Sequence, residues 1–322
     1  MFKKRVSTLM LACLTALGAL PAMAAQDYPS RPVTLVVPYT PGGSSDVIAR
    51  TLAEALRKDL GQTVIVENKP GAGTAIGSDY VARAQPDGYT VLFAGSGLSI
   101  LPAISKTNYD PVKSFEPVSQ ILTLPFFLVV RSELPIKSLD ELISYAKANP
   151  GKLNYGSAGS GTITHLQMEL FSKLAGIEMM HIPYKGSAPG VTDLLSGRLQ
   201  LMFEGLSTVG PHIKSGVLRP LAVAMPDVSG ALPDVPTVQQ SGLKNYDATA
   251  WAGVLAPAGT PKEVVNKLNQ SIHRALQDPD LRQRVADLGG NVTPSTPQQI
   301  GERISEETKK WNALARELNL EQ

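Results

Sequence analysis

The sequence has one cysteine in 322 residues, few aromatic residues (6%) and no excess of either charge, with 30 Lys and Arg against 28 Asp and Glu. A single thiol, Cys13, excludes a disulfide framework. The balanced charge argues against the strongly basic surface of a nucleic-acid-binding protein. Hydrophobic residues make up 43% of the chain, which is enough for a large core, so the sequence predicts a globular protein.

Long apolar runs are also scarce, and the clearest one lies at the N-terminus. Three basic residues (3–5) precede an apolar stretch (6–20) that ends in Pro21 and a small-residue tripeptide before position 25. This order is typical of a secretory signal peptide covering residues 1–24. Lipidation at Cys13 and an uncleaved anchor are the weaker alternatives, since the run continues past the cysteine and is short for a membrane span.

Removal of residues 1–24 changes the composition of the mature protein. It leaves 298 residues, takes away Cys13 and lowers the basic count to 27 against 28 acidic residues. The mature chain then has no thiol nucleophile and no sulfur ligand for a metal. We expect an exported periplasmic protein that is held together by its core.

The mature sequence alternates short apolar runs with amphipathic segments. The first unit has predicted strands at 33–37, 63–66 and 89–93, with a helix that ends at Gly61 and another around 80–81. The pattern restarts with strands at 153–157, 179–182 and 199–203 and a helix that runs from Gly161 to Gly176. Repeated strand–helix alternation predicts an α/β protein with two mainly parallel sheets.

The C-terminal part reads as mainly helical after Trp251, with Thr260 and Thr296 as predicted helix caps. Because it holds too few strands for a third sheet, we expect these helices to pack on the first unit. Lobe one would then comprise 25–120 plus 250–322 and lobe two 121–249. Two extended hinge strands, near 115–125 and 225–250, would join the lobes into a clamp.

Two loops carry the candidate binding groups, each between the end of a strand and the start of a helix. A helix start offers unpaired N–H groups and partial positive charge, and glycine lets a ligand approach the backbone. Because such loops meet at the cleft of open α/β sheets, the pair predicts a clamp for a small anion. The alternative is that both are ordinary capping loops. The candidate contacts are Tyr39, Thr40, Gly42, Gly43, Ser44, Ser45 and Asp46 in the first loop, and Ser157, Ala158, Gly159, Ser160, Gly161 and Thr162 in the second.

Two acidic residues near these loops are interpreted differently. Asp46 suits the positive start of its helix but would repel an anionic ligand, so we expect it to have a structural role. Glu204 follows an apolar strand. It either contacts polar groups of the ligand or is a solvated charge at the strand end, and the sequence leaves both open.

Several other binding and catalytic classes are disfavoured. Neither loop contains Lys or Arg and no P-loop motif occurs, so a carboxylate fits better than a nucleoside triphosphate. The glycine-rich segment 71–77 has Ile76 where a dinucleotide fingerprint needs its third glycine. The four histidines lack zinc-motif spacing, and no Gly-x-Ser-x-Gly motif occurs. We expect no cofactor and no metal. An exported serine hydrolase using a loop serine with His165 as base is the remaining enzymatic alternative.

Six motifs occur in a fixed order along the mature chain. They are Tyr28-Pro29-x-Arg31-Pro32, Pro41-Gly42-Gly43-x-x-Asp46, Val66-Glu67-Asn68-Lys69-Pro70-Gly71-Ala72-Gly73, Pro86-Asp87-Gly88-Tyr89-Thr90, Pro183-Tyr184-Lys185-Gly186 and Leu232-Pro233-Asp234-Val235-Pro236-Thr237. With these motifs the chain resembles the substrate-binding proteins of tripartite tricarboxylate transporters, also called Bug or TctC-like proteins.

The resemblance implies a monomeric two-lobe periplasmic binding protein of the type II class. It implies that a small organic carboxylate is held, partly through water, between the loops at 39–46 and 157–162. The loop containing Ser96 would line the same cleft, and a two-subunit membrane permease would receive the ligand. A ligand-presenting sensor partner is the alternative role. Where the family pattern leads us to expect Phe-Asp, this chain has Phe203-Glu204, which bears on the size of the ligand.

Overall fold

The structure is a computed structural model that describes residues 28–227 and 230–320. The predicted signal peptide, its cleavage site and Cys13 lie outside the described residues. Within them the chain forms two separate sheets, one of six strands and one of five, each packed between helices.

The first sheet contains the predicted βαβαβ unit. Its strand order is β11-β4-β10-β3-β1-β2, in which β1 pairs in parallel with β2 and β3, while β10 is antiparallel to both β3 and β4. Its strands are β1 (Val33–Val37), β2 (Val64–Asn68), β3 (Thr90–Gly95), β4 (Phe115–Leu124), β10 (Ala250–Pro257) and β11 (Asn291–Val292). Its helices are α1 (Ser44–Leu60), α2 (Ala75–Ala82), α3 (Gly97–Ile104), α8 (Lys262–Ala275) and α9 (Pro279–Asp287).

The second sheet repeats the parallel arrangement at its centre. Its order is β7-β6-β8-β5-β9, with β6 parallel to β7 and β8 and with β5 antiparallel to β8 and β9. Its strands are β5 (Phe126–Arg131), β6 (Asn154–Ser157), β7 (Met180–Pro183), β8 (Leu201–Gly205) and β9 (Leu218–Val223). Its helices are α4 (Leu139–Ala148), α5 (Ile163–Ala175), α6 (Ser187–Ser196) and α7 (Leu206–Lys214).

The two sheets are connected differently at the two crossings. In the first, Pro125 alone separates β4 of the first sheet from β5 of the second. In the second, residues 224–249 lead from β9 to β10, and Val238, Tyr246 and Ala248 of this segment are buried against the second sheet. The chain therefore crosses where the second crossing was predicted, although the described residues of this segment, 224–227 and 230–249, form no strand longer than a single bridge. Its apolar residues pack against the second lobe.

The last helix, α10 (Pro297–Glu317), packs on α3 and β4 of the first lobe. Its 21 residues make it about 31 Å long. Ile300 and Ile304 lie in the core of the first lobe, whereas Trp311 and Leu314 lie in a cluster that combines α3 of the first lobe with residues of the second. The C-terminal half of the helix therefore lies at the boundary between the lobes, where Glu317 pairs with Lys173.

Arg303 of α10 binds both crossings of the chain. Its Nη1 donates to Oε1 of Gln120 at 3.0 Å, and its Nη2 donates to the carbonyl of Thr249, also at 3.0 Å. Its Nε contacts Glu307 at 3.1 Å. Trp251 Nε1, from the start of β10, donates to the same carboxylate at 2.8 Å. These bonds fix α10 at the junction of the lobes.

Local signals predicted most element ends correctly. Gly61 and Gly176 end their helices in the left-handed conformation, as predicted, and Thr296 forms a capping box with Gln299. Thr260 does not cap α8, because its hydroxyl donates to the Pro257 carbonyl at 2.7 Å and Pro261 precedes the first helical residue.

Candidate functional site

The first loop presents unpaired backbone donors to solvent. Gly43 and Ser44 are exposed, and α1 begins at Ser44 with no side-chain cap. The N–H groups of Gly43, Ser44 and Ser45 have no acceptor among residues 28–227 and 230–320. The N-terminus of a 17-residue helix therefore carries free donors and partial positive charge, which is suited to an anion. Thr40 is exposed beside them.

The side chain of Asp46 fixes the conformation of this loop through hydrogen bonds. It accepts hydrogen bonds from the Gly42 N–H at 2.9 Å, from Arg50 Nε at 2.9 Å and from Asn68 Nδ2 at 2.8 Å. Burial alone would raise the pKa of Asp46, but these hydrogen bonds and the charge of Arg50 outweigh it and lower the pKa to about 2. The Asp46 side chain is buried and both of its oxygens accept hydrogen bonds, so its role in the structure is to fix the loop.

Asn68 is a supporting residue that sequence reasoning did not single out. It ends β2, and its Nδ2 also donates to the Tyr39 carbonyl at 3.1 Å. One amide thus ties the start of the loop to its anchoring carboxylate, Asp46. The available signal was its place in the second-strand motif, Val66 to Gly73.

The Tyr39 side chain turns back over the end of β3. A Cβ on Gly95 would lie 2.8 Å from Oη of Tyr39, so the missing side chain makes room for this ring. Burial raises the pKa of the Tyr39 hydroxyl to about 12. Next to Gly95, Ser96 is buried and accepts a hydrogen bond from the Trp251 N–H at 3.2 Å. These two predicted site residues connect the first loop to β10.

The second loop differs from the expectation of several free amides, because it satisfies most of its own donors. The Thr162 N–H donates to the Gly159 carbonyl at 3.2 Å, and the Thr162 hydroxyl donates to the same oxygen at 2.7 Å. The Ser160 N–H has no acceptor within the described part of the chain, and Ser160 is exposed. Three further N–H groups donate to side chains of the same lobe: Ala158 to Thr164 Oγ1 at 3.0 Å, Gly159 to Ser157 Oγ at 3.2 Å and Gly161 to His165 Nδ1 at 3.1 Å.

Two histidines stack beneath this loop, although they are separated in sequence. The ring centroids of His165 and His181 are 4.0 Å apart, and the Tyr155 ring stacks with His181 at 4.9 Å. Because His165 Nδ1 accepts from the loop, its proton lies on Nε2, which is 3.5 Å from Glu169. Tyr155 also hydrogen-bonds Glu169. Burial and the nearby His165 lower the pKa of His181 to about 4, so it stays neutral.

This geometry does not form the predicted hydrolase pair. His181, rather than His165, contacts a loop serine, with Nε2 of His181 2.7 Å from Ser157 Oγ. Ser157 is 0% exposed and also accepts the Gly159 N–H, so its hydroxyl is a buried structural group without access for a substrate. Ser160, the exposed serine, makes no hydrogen bond to His165 in the described structure.

Glu204 is buried at the end of β8 and is 2% exposed, which excludes a solvated strand-end charge. One carboxyl oxygen, Oε2, accepts the Gly205 N–H at 3.3 Å. The other, Oε1, has no hydrogen-bond partner among the described residues. Burial raises the pKa of Glu204 to about 6, although the Ser187 hydroxyl and the Gly205 N–H oppose the shift.

The second loop touches the first lobe at Gly161. Gly161 has a φ of +75°, and a Cβ there would overlap Cδ1 of Ile104 and lie 3.0 Å from its Cγ1. Ile104 ends α3, the helix that starts beside Ser96. The second loop therefore contacts the first lobe at the C-terminal end of α3.

Two cavities lie away from these loops. One of about 700 Å³ opens on the first lobe beside Arg31, Tyr80 and Asp87, and one of about 580 Å³ lies at the lobe junction beside Arg303 and Lys310. None of the predicted site residues lines either cavity. Across residues 28–227 and 230–320, no cluster of three His, Cys, Asp or Glu is arranged for a metal ion, and no helix is long and apolar enough to span a membrane.

Comparisons with known proteins agree with this architecture. The family model described as tripartite tricarboxylate transporter family receptor matches residues 48–320. The solved structure of the periplasmic binding protein BugD is 38% identical to this chain, covers 91% of it and 99% of its own length, and has a TM-score of 0.76.

Two further solved structures contain carboxylates. R. palustris Rpa4515 with adipate is 35% identical, with a TM-score of 0.77 over 90% of this chain and 98% of its own. MatC from Rhodopseudomonas palustris with bound malate is 32% identical, with a TM-score of 0.74 over 89% of this chain and 99% of its own. Adipate and malate are both small organic acids with two carboxylates.

Proposed function

The chain belongs to the tripartite tricarboxylate transporter receptor family, a family of solute-binding proteins, and we propose that it captures a small organic carboxylate between its two lobes. We place it in the periplasm and propose that it delivers the ligand to a two-subunit membrane permease. It acts as a monomer, since each chain has both loops of the site.

The start of α1 is the observation that carries this proposal. Its N–H groups at Gly43, Ser44 and Ser45 are uncapped, Gly43 and Ser44 are exposed, and the buried Asp46 fixes the loop that carries them. An anionic group is what such a helix start binds best. The malate and adipate in the relatives' structures support a carboxylate as that anion.

The proposed site is formed from both lobes, with lobe one at 25–120 plus 250–322 and lobe two at 121–249. The first loop supplies backbone N–H groups that donate directly to the ligand. The second loop supplies a surface that its internal hydrogen bonds keep rigid. Four of the predicted residues support the site through the backbone, namely Tyr39, Asp46, Ser96 and Ser157. The ligand contacts come from Thr40, Gly42, Gly43, Ser44, Ser45, Ala158, Gly159, Ser160, Gly161, Thr162 and Glu204.

A binding experiment with one charge variant tests the site. Gly43 has an ordinary φ of −75°, and a Cβ there meets nothing closer than 3.7 Å, so Gly43→Asp keeps the fold while placing a carboxylate at the helix start. Thr51→Asp adds the same charge about two turns further along α1 and is the matched control. Gly159→Asp is unsuitable, because Gly159 has a φ of +136° that would strain any side chain.

We expect a thermal-shift panel of mono-, di- and tricarboxylates to identify ligands, and calorimetry to show that Gly43→Asp abolishes their binding. Thr51→Asp should bind them normally. Unchanged affinity in Gly43→Asp would refute the site, and a panel without any binder would refute the carboxylate receptor. A pull-down from the membrane fraction with ligand-loaded protein distinguishes a permease from a sensor as the partner.

A further inference from the structure

Glu204 lies in lobe two among the strand ends that face the cleft. β6 and β8 are parallel neighbours, with Gly156 opposite Met202, so Glu204 and the second loop follow the same edge of the sheet. Successive side chains of a strand point to opposite faces of the sheet, so the Glu204 side chain lies on the face opposite Phe203 and on the same face as Met202. That face packs against α6 and α7, whereas the histidine stack lies on the opposite face.

The carboxyl group of Glu204 lies between the starts of two helices. Gly205 directly precedes α7 and gives its N–H to Oε2, while Ser187 is the first residue of α6 and contributes its hydroxyl. Both donors favour the ionised form, and the Gly205 N–H is accepted by Oε2. Oε1 remains buried without a partner within residues 28–227 and 230–320.

A buried carboxyl oxygen without a hydrogen bond is unfavourable, and a donor from the ligand would remove that penalty. A second carboxylate on the ligand offers no donor and would place like charges together in a site shielded from water. The charge of no other described residue contributes to the pKa shift of Glu204. Its environment therefore discriminates between a neutral donor and an anion.

We propose that Glu204 is a specificity-determining residue, which accepts a hydrogen bond from a hydroxyl or amide on the far end of the bound carboxylate and disfavours a second ionised carboxylate there. The inference rests on the proposed function, because it assumes that the first carboxylate of the ligand is bound at the start of α1. The preferred ligands are then hydroxy acids and acid amides.

The discrimination between a neutral donor and an anion depends on pH. Above pH 6 Glu204 is ionised and can only accept a hydrogen bond, whereas below pH 6 it is protonated and can donate to a ligand carboxylate. Binding of diacids should therefore improve on acidification relative to binding of their monoamides. In Glu204→Gln no titrating group remains at this position, so only the ligand's own protonation is measured.

Matched ligand pairs test the inference. Calorimetry at pH 7.5 compares succinate, glutarate and adipate, each against its monoamide, so that length is constant and only the distal group changes. We expect the wild type to prefer the monoamide by about tenfold or more, which corresponds to about 1.4 kcal/mol. Glu204→Gln, which presents an amide donor, should lose this preference. Glu204→Asp should keep it, and Glu178→Gln, an exposed charge removal in the same lobe, should leave it unchanged.

The outcomes separate this inference from the proposed function. If diacids and monoamides bind but their ratio differs by less than about twofold between the wild type and Glu204→Gln, Glu204 does not select and the receptor function stands. Loss of all binding in a folded Glu204→Gln also overturns selection by charge, since glutamine still accepts an amide hydrogen bond. If no carboxylate binds the wild type, the proposed function fails and the inference fails with it.

Discussion

Alanine at Gly161 tests whether the contact between the lobes controls ligand affinity. Gly161 has a φ of +75°, and its added methyl would overlap Cδ1 of Ile104 across the cleft. Rotation about χ2 can move Cδ1, but Cγ1 would still lie 3.0 Å from the added Cβ and Ile104 is buried, so part of the overlap remains. The variant should therefore oppose closure of the lobes.

The substitution should lower both the folding stability and the ligand affinity, and the two losses can be measured separately. A left-handed backbone costs alanine about 1–2 kcal/mol, and this cost is the same with the lobes open or closed. The overlap with Ile104 exists only when the lobes meet, and overpacking of this kind costs about 1–3 kcal/mol. Only the second part weakens binding, by about 5- to 150-fold.

Calorimetric affinity for the tightest carboxylate of the panel is the primary assay. Gly176→Ala is the matched control. Gly176 ends α5, the helix that begins just after Gly161, with a φ of +62°, and it has nothing within 4 Å of an added Cβ. It should lose stability like Gly161→Ala but keep its affinity. Ile104→Val removes Cδ1, so the Gly161→Ala/Ile104→Val double variant should recover most of the lost affinity.

Two results would refute this reasoning. Equal affinities in Gly161→Ala and Gly176→Ala would show that the overlap does not oppose binding. A double variant as weak as Gly161→Ala would show that the loss comes from the loop itself rather than from Ile104. Small-angle X-ray scattering of the ligand-free proteins gives an independent measure, since Gly161→Ala should have the larger radius of gyration.

Two stability predictions follow from buried ionisable groups. Because the folded pKa of Glu204 is raised from 4.5 to about 6, ionising it destabilises the fold, with no cost below pH 4.5 and the full cost above pH 6. Urea unfolding should show Glu204→Gln gaining about 2 kcal/mol over the wild type at pH 8 and nothing at pH 4; an equal difference at both values would contradict this. Since the folded pKa of His181 is lowered to about 4, its contribution is complete above pH 6.5 and is lost as the pH falls to 4. His181→Gln should have a shallower loss of stability over that range, and an unchanged slope would argue against a buried neutral histidine.

Local sequence signals predicted the parts of the fold that local physics determines. The strand at Val33–Val37 and the helix ends at Gly61 and Gly176 appear where expected, because a buried apolar run and a left-handed glycine need no distant partner. The two loops were found for the same reason, since each joins a strand end to a helix start. The donors of the second loop were overestimated, because their acceptors include His165 and Thr164 one helical turn later.

Features that depend on packing between distant segments were not predictable. His165 and His181 are on different elements, and only the pairing of β6 with β7 brings their rings together. The burial of Glu204 depends on how α6 and α7 cover the end of β8. The position of the end of α10 at the lobe boundary was not predicted, because an amphipathic pattern shows which face is apolar but does not identify what that face packs against.

The helix α10 restricts the separation of the lobes on its own side of the cleft. It packs on α3 and β4 of lobe one, while Trp311 and Leu314 lie in a cluster shared by α3 and residues of lobe two. A motion that separated the lobes there would expose these side chains, at about 1.5–3 kcal/mol for each large apolar side chain. The hydrogen bonds from Arg303 to Gln120 and to the Thr249 carbonyl oppose the same motion. The cleft should therefore open least beside α10.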